Sequence, residues 1–495
     1  MKNKVVIKRL ASGIPGLDEV LGGGFPEFSF NLIAGLPGCG KTTLAHQIMF
    51  AMATPARPAL YFTVLGEPPL KMLRYQQQFD FFDAEPVNRF IRFINLGEDA
   101  LSGDLDQALR HIRAEVQAHS PGLVFVDSFR SVLLANSEVT AHPAQQSFMR
   151  QLGMLMTSWQ ATTFLIGEYP SQTDANPVFT VCDGLICLRQ SFQRNSMVRK
   201  MEVLKMRGAP TLPGLHSFRI TAAGIEVFPP AGMIAVRRQL QAPPQGSRLM
   251  MGVPGLDDML GGGLPRGYSL LVAGPSGSGK SILAAAFLAQ GARCGETGVI
   301  AAFEQNPNRS RSRIVADLIA EGRVGLVDSR VVDLSIDETV RRLQDEIARL
   351  KAVRVVIDSL SGFELALAPT FREDFRQSLS SMVTALAAAG VTVLMTSELE
   401  DRYTDLRFSP YGTAFMTDAI IVQRYIEVDS RLRRVMAVVK VRASAHSDEL
   451  RLFSIGDDGI RIEGKLADQE GLLGGRPTRK RVAHQPASIP EAASG

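Results

Sequence analysis

Short apolar runs alternate along this chain with longer segments whose apolar residues recur at helical spacing. The runs at 30–34 and 269–273 are each followed, after a glycine-rich turn, by a helix-like stretch at 43–52 and 282–292. Later runs close on or beside a carboxylate: 123–127 ends in Asp127, 353–358 ends in Asp358, and those at 162–167 and 391–396 stop beside Glu168 and Glu398. Continuous apolar runs suit strands buried on both faces, and their alternation with helices predicts a mostly parallel α/β sheet flanked by helices.

The pattern occurs twice. The segment GIPGLDEVLGGGFPEFSFNLIAGLPGCGKTTL at 13–44 returns at 252–283 as GVPGLDDMLGGGLPRGYSLLVAGPSGSGKSIL. Lys41 and Lys280 lie 239 positions apart, as do Gly16 and Gly255, whereas the later landmarks drift: Asp127 and Asp358 by 231, Lys205 and Lys440 by 235. Loop insertions and deletions leave that kind of drift in a duplicated domain. The expected organisation is a first domain at 1–233, a Pro-Pro-containing linker at 234–248 and a second domain at 249–465. A Gly-, Pro-, Ala- and Ser-rich tail at 466–495 is expected to be disordered, and its basic run at 476–481 reads as a solvated tail rather than a nucleic-acid or targeting signal.

Composition narrows the class only modestly. The chain is 45% hydrophobic and 21% charged, with 54 basic against 50 acidic residues, which rules out a disordered chain, a collagen-like repeat and an acidic tail. Four cysteines (Cys39, Cys182, Cys187, Cys294) fit a reduced compartment rather than a disulfide scaffold. Without a secretory h-region or an apolar run of about 18 residues, a soluble cytoplasmic protein with no membrane association is expected.

Each repeat carries a complete phosphate-loop pattern: Gly35-Leu-Pro-Gly38-Cys39-Gly40-Lys41-Thr42 and Gly274-Pro-Ser-Gly277-Ser278-Gly279-Lys280-Ser281. Its glycines reach φ > 0, so that successive backbone N–H groups turn toward phosphate oxygens. Lys41 and Lys280 would reach the β- and γ-phosphates, and Thr42 and Ser281 would ligate Mg²⁺. The helix beginning at Thr43 and Ile282 completes the ATP-binding set, its N-terminus favouring the anion. Asp127 and Asp358 end the strands expected to hold Mg²⁺ through water.

Hydrolysis needs a carboxylate to orient or deprotonate the attacking water. Glu304 fills that place in the second repeat, just before Gln305. In the unbroken 239-residue register Leu65 stands opposite Glu304, and the only nearby carboxylate is Glu67, two residues on. Glu304 and Glu67 are therefore the catalytic candidates, with the second domain expected to hydrolyse ATP faster.

The duplicated PGLD-x-x-LGGG-[FL]-P segments, the paired phosphate loops, and Lys205-Met-Arg207-Gly208 with Lys440-Val-Arg442-Ala443 together resemble the KaiC family of RecA-like ATPases, over roughly residues 5–465. The resemblance implies tandem RecA-like domains and a double-ring homohexamer, with ATP and Mg²⁺ between neighbouring subunits. It also implies that Lys205, Arg207, Lys440 and Arg442 contact the neighbour's γ-phosphate in trans; at i, i+2 on a strand, each pair would share one face. Clock members of the family phosphorylate adjacent Ser and Thr residues, a pair that falls here on Ala414-Phe415. Ser409 and Thr413 remain nearby for Ser/Thr self-phosphorylation. This departure, and Gln305 in place of the second carboxylate of the family's usual Glu-Glu pair, point to a KaiC-like ATPase in signalling or regulation, with protein partners. Two alternatives share the fold: a DNA recombination or helicase motor, which the nearly neutral charge disfavours, and an ATP-switched scaffold with little turnover.

Overall fold

The computed structural model describes residues 7–63, 69–96, 105–128, 141–169, 177–193, 196–230, 246–303, 313–328, 335–367, 375–399, 416–428, 430–465, 469–470 and 478–479. They divide into two compact units, 7–230 and 246 onward.

The first unit is built on a nine-stranded sheet: β1 (Phe30–Gly35), β2 (Ala59–Thr63), β3 (Ile91–Asn95), β4 (Leu123–Asp127), β5 (Thr162–Gly167), β6 (Gly184–Gln193), β7 (Ser196–Met206), β8 (Leu215–Thr221) and β9 (Gly224–Phe228). Their order in space is β3-β2-β4-β5-β1-β6-β7-β8-β9. The run from β3 to β6 is parallel, and β6 to β9 is an antiparallel extension. Flanking helices include α1 (Lys41–Met52), α2 (Pro69–Gln76), α3 (Leu105–His119) and α4 (Ala141–Ser158).

β1 is buried along its whole length. Phe30, Leu32 and Ala34 enter one apolar cluster with α3 residues, while Ile33 enters the other with α1 residues. Successive strand side chains point to opposite faces, so a strand covered on both sides carries apolar residues on both; the buried Asn31 is the polar exception in β1, its Nδ2 donating to Ser29 Oγ and the Thr163 carbonyl. That is why the alternation typical of half-exposed strands is missing here.

The second unit repeats the plan. Its strands are β10 (Ser269–Gly274), β11 (Gly298–Ala302), β12 (Val324–Asp328), β13 (Arg354–Asp358), β14 (Thr392–Glu398), β15 (Ala419–Val428), β16 (Arg431–Val441), β17 (Arg451–Gly456) and β18 (Gly459–Lys465). The order β12-β11-β13-β14-β10-β15-β16-β17-β18 is that of the first sheet with every label advanced by nine. Helices α5 (Lys280–Arg293), α6 (Arg313–Ala320), α7 (Ile336–Leu350) and α8 (Phe375–Ala388) accompany it. Both units are thus α/β with a mostly parallel sheet.

Two local findings differ from the sequence reading. Arg248 and Leu249 already pair with Pro265 and Leu264, so the second unit begins at the end of the segment read as linker. Within the stretch expected to be disordered, Gln469–Glu470 and Thr478–Arg479 form a two-residue antiparallel ladder. Among the described residues no helix is long and apolar enough to cross a membrane.

Packing under α1 creates a pH-sensitive element. His46 is fully buried against Tyr61 and Phe93, with ring centroids 4.6 and 6.0 Å away, and neither ring nitrogen has a hydrogen-bond partner. Burial lowers its pKa from 6.5 to about 4, against a weaker upward pull from the Gln76 side chain that falls short of hydrogen-bond geometry. A histidine depressed in the folded state favours folding above its unfolded pKa. Between about pH 6.5 and pH 4 the unfolded chain binds a proton that the folded chain refuses, so stability is lost as pH falls through this window. At pH 5 the first unit should be about 2 kcal/mol less stable than at pH 7.5 on this account alone. Trp159, the single tryptophan, sits in this unit and reports its unfolding. Urea titrations followed by its fluorescence should show a pH-dependent loss that His46→Met removes; equal losses in both proteins would refute the assignment.

Candidate nucleotide sites

Each phosphate loop joins the C-terminal end of the central strand, β1 or β10, to the helix α1 or α5. The conformation depends on glycine: Gly38 and Gly40 have φ of 76° and 102°, and Gly277 and Gly279 have 73° and 105°. Gly40 and Gly279 occupy the N-cap positions of α1 and α5, and neither helix has a side-chain cap or an acidic residue in its first turn. The first N–H groups of each helix therefore await an acceptor, and an anion is the natural one. By contrast, α7 is closed at its start by Ser335, which accepts a hydrogen bond from the Glu338 N–H.

The side chains divide as the chemistry requires. Lys41 Nζ donates to the Leu36 carbonyl at 2.9 Å, and Lys280 Nζ donates to the Gly274 and Pro275 carbonyls at 2.9 and 2.8 Å, so both ammonium groups fold over their own loops. Burial lowers the Lys280 pKa, opposed by the negative charges of Glu398 and Asp358. Cys39 and Ser278 do not face the phosphate position with their side chains. Both are fully buried beneath the loop; Ser278 Oγ donates to Gln423 Oε1 at 2.9 Å, and burial raises the Cys39 thiol pKa. These two residues can serve an anion through backbone N–H groups only. Likewise Ile282 turns its side chain to the outer groove of α5.

Thr42 and Asp127 are brought together: Thr42 Oγ1 donates to Asp127 Oδ2 at 2.8 Å. The same oxygen accepts a 2.8 Å bond from Tyr61, which reaches it from neighbouring strand β2. Burial raises the Asp127 pKa, the Tyr61 and Thr42 hydroxyls and Lys41 counteract it, and Glu168 adds a smaller upward push. In the second unit the clamp comes from the other side, with Thr396 of β14 donating to Asp358 Oδ1. Tyr61 and Thr396 were not found from sequence, because only the sheet order sets them beside these carboxylates. The peptide after each aspartate, to Ser128 and to Ser359, is cis in both repeats.

Hydroxyl and carboxylate oxygens are the hard donors that Mg²⁺ prefers. The loop is also open where phosphate would lie: a Cβ built on Gly38 would have its nearest neighbour, Gln190 Nε2, only at 3.8 Å. The residues present thus fit ATP with Mg²⁺. Glu67 and Glu304 lie outside the described residues, as do Ser409, Thr413, Ala414 and Phe415.

The cation pairs sit at the other end of the central strands, beside the first residues of β1 and β10. Arg207 NH1 meets Asp183 Oδ1 at 3.1 Å, and Asp183 Oδ2 accepts the N–H of Phe30, the first residue of β1. Arg442 repeats this with Asp418 at 3.1 Å, and Asp418 accepts the N–H of Ser269, the first residue of β10. The phosphate loop begins at the far end of the same strand, five residues on, roughly 17 Å away. Lys205 Nζ donates to the Phe179 and Thr180 carbonyls at 3.4 and 3.2 Å, and Lys440 Nζ to that of Thr417 at 2.6 Å.

Strand alternation is not what pairs these cations, because β7 and β16 end at Met206 and Val441, one residue before each arginine. Lysine and arginine converge instead on residues 179–183 in one unit and 417–418 in the other. A register irregularity leaves Leu204 and Val439 unmatched in their ladders, immediately before the lysines. Such a bulge re-aims the side chains that follow it.

Comparison with known proteins agrees with this geometry. A family model described as "ATPase: KaiC" matches residues 10–232 and again residues 249–467. The chain is 27% identical over 493 residues to a protein of Rippkaea orientalis named circadian clock oscillator protein KaiC, covering 96% of this chain and 92% of that one. It is 26% identical to circadian clock oscillator protein KaiC 1 of Synechocystis, covering 96% and 93%.

Proposed function

The chain belongs to the KaiC family of ATPases, and from that premise we propose a Mg²⁺-dependent ATP hydrolase acting as a homohexamer. Each nucleotide is held between the phosphate loop of one subunit and the cations of the next, and the nucleotide state is read by regulatory protein partners in signalling or circadian-type control. The observation that carries this reading is the placement of Arg207 and Arg442 at the end of the central strands remote from their own loops, in both repeats alike. Cations so placed are out of reach of their own γ-phosphate and open to a neighbour's.

ATP with Mg²⁺ supplies the phosphoanhydride bond and the charge neutralisation that its cleavage needs. In this reading the backbone N–H groups of 38–43 and 277–282 bind the phosphates. Lys41 and Lys280 exchange their loop carbonyls for phosphate oxygens. Thr42 with Asp127, and Ser281 with Asp358, hold the metal, with Tyr61 and Thr396 fixing the aspartates. Lys205, Arg207, Lys440 and Arg442 neutralise charge gathering on the neighbour's γ-phosphate. Glu304 positions water in the second domain, and Glu67 is the corresponding candidate in the first. Self-phosphorylation at Ser409 or Thr413 is a secondary activity of the same second-domain site.

Native mass measurement on one sample, with ATP and after its removal, tests the proposal. A hexamer with about two nucleotides per chain is expected with ATP, and any added phosphate on the chain registers in the same spectrum. A nucleotide-free monomer under both conditions would defeat it. A nucleotide-bound hexamer without phosphate release would identify an ATP-switched scaffold instead.

A further inference from the structure

The two units differ at one place where their sequences diverge in length. In the first, residues 77–90 connect α2 to β3; in the second, residues 321–323 make the matching connection from α6 to β12. The longer connection contains Phe79, Phe81 and Phe82, and it covers the outer face of α1. Phe82 meets Phe50 of α1 edge-on at 5.2 Å, Phe81 lies 6.2 Å from the same ring, and Phe79 stacks on Phe81 at 5.2 Å. The Asp80 N–H donates to the Ala222 carbonyl at 2.8 Å, tying the segment to the turn between β8 and β9. Phe81 packs so closely on Gly224 of that turn that a Cβ there would meet its ring at 2.8 Å.

The same place in the second unit is a groove of about 550 Å³. Its wall on α5 carries Ile282, Ala286 and Ala289, α6 contributes Ile314 and Leu318, and Gly459 closes it at the turn between β17 and β18. In the common register Ala289 stands where the first unit has Phe50, and Gly459 stands where it has Gly224. Among the described residues nothing lies within 4 Å of a Cβ built on Gly459. Ile314 is 50% exposed on the groove wall. Among the described residues the shortened connection thus brings Glu321 and Arg323 to the rim where the first unit has aromatic rings, above apolar walls from α5 and α6.

We propose that this groove is a docking site for a partner protein's short phenylalanine-bearing segment, seated as Phe81 and Phe82 are seated in the first unit. The choice of occupant follows from the repeat itself: the chain's own solution for this shape is a Phe-Asp-Phe-Phe segment, with two rings packed against Phe50 of the helix and a backbone bond to the turn. Small residues along α5 leave depth for rings. A segment of this kind, recognised through two or three buried rings, needs no large preformed partner surface.

The test uses the full chain, with ATP present, and a labelled peptide of residues 77–86 (QQFDFFDAEP) as the probe. Fluorescence anisotropy should show saturable binding at roughly 10–100 µM. Replacing the three phenylalanines of the peptide by alanine should weaken it at least about tenfold. Ala289→Glu, a helix-compatible change on the half-exposed face of α5, should do the same without altering thermal unfolding, and Ile314→Ser provides a second groove variant. Failure of the wild-type chain to bind up to about 1 mM, or equal binding by wild type and both groove variants, would overturn the proposal. If instead Ala289→Glu changed the oligomeric state of the chain alone, a second copy would be the occupant and the assignment to a partner would be wrong. Because the readout is peptide affinity, the result is independent of whether the chain hydrolyses ATP.

Discussion

Glu304→Gln is expected to reduce ATP turnover by the second domain about 100-fold while leaving nucleotide binding intact. Ala302 pairs with Asp358 at the end of β11, and the N–H of Phe303 donates to the Asp358 carbonyl at 2.9 Å, so Glu304 is the next residue along the chain. In the first domain Thr63 pairs with Asp127 in the corresponding way, but residue 65 is leucine and the carboxylate comes two residues later. A general base acts only within hydrogen-bond reach of its water, and a two-residue shift along an extended chain moves a side chain by about 6.6 Å. Glu67→Gln should therefore change total phosphate release much less than Glu304→Gln does. Steady-state phosphate release decides the matter. Full turnover by the Glu304 variant would remove it from the mechanism, and equal losses from the two variants would remove the asymmetry between the domains.

Arg442→Ala is the second large effect, with an expected loss of about 10³-fold in second-domain turnover. Arg207→Ala should act on the first domain in the same sense. The arginines are half-exposed and their aspartate partners less so, so breaking these ion pairs should cost little stability. A fall in turnover with unchanged thermal unfolding and unchanged ATP affinity would mark loss of an interaction made chiefly in the transition state. Parallel losses of activity and stability would indicate that the pair with Asp418 is merely structural.

How much was legible in advance depended on the distance over which residues must cooperate. The β1 and β10 strands, their loops and the helices that follow are local patterns, in which apolar runs, glycines able to take φ > 0 and a following helix start are read in sequence order. The repeat supplied the rest of the plan, since a landmark found twice in one order is hard to produce otherwise. What stayed hidden was set by sheet order. Tyr61 reaches Asp127 because β2 lies beside β4, and Thr396 reaches Asp358 because β14 lies beside β13. The irregularities at Leu204 and Val439 leave no trace in apolar periodicity. Arg207 and Arg442 were read onto a strand face, yet the ladders end one residue earlier, and the shared direction of each cation pair comes from the carbonyls and carboxylate they lean on. Cys39 and Ser278 lie inside the loop motif, but burial directs their side chains inward. The groove over α5 has no signature in sequence order, because it depends on the length of one connection set against a neighbouring helix and turn.

The most direct test of an interfacial ATPase is subunit mixing. Glu304→Gln spoils the loop side of a second-domain site, and Arg442→Ala spoils the side lent to the neighbour. Alone, each variant is inactive in that domain. In a randomly mixed hexamer about a quarter of the interfaces combine an intact loop side with an intact cation side. Equimolar mixing should therefore restore about a quarter of the wild-type second-domain rate, with mixed hexamers verified by native mass. If verified mixed hexamers regain no activity, Arg442 does not act across the subunit interface.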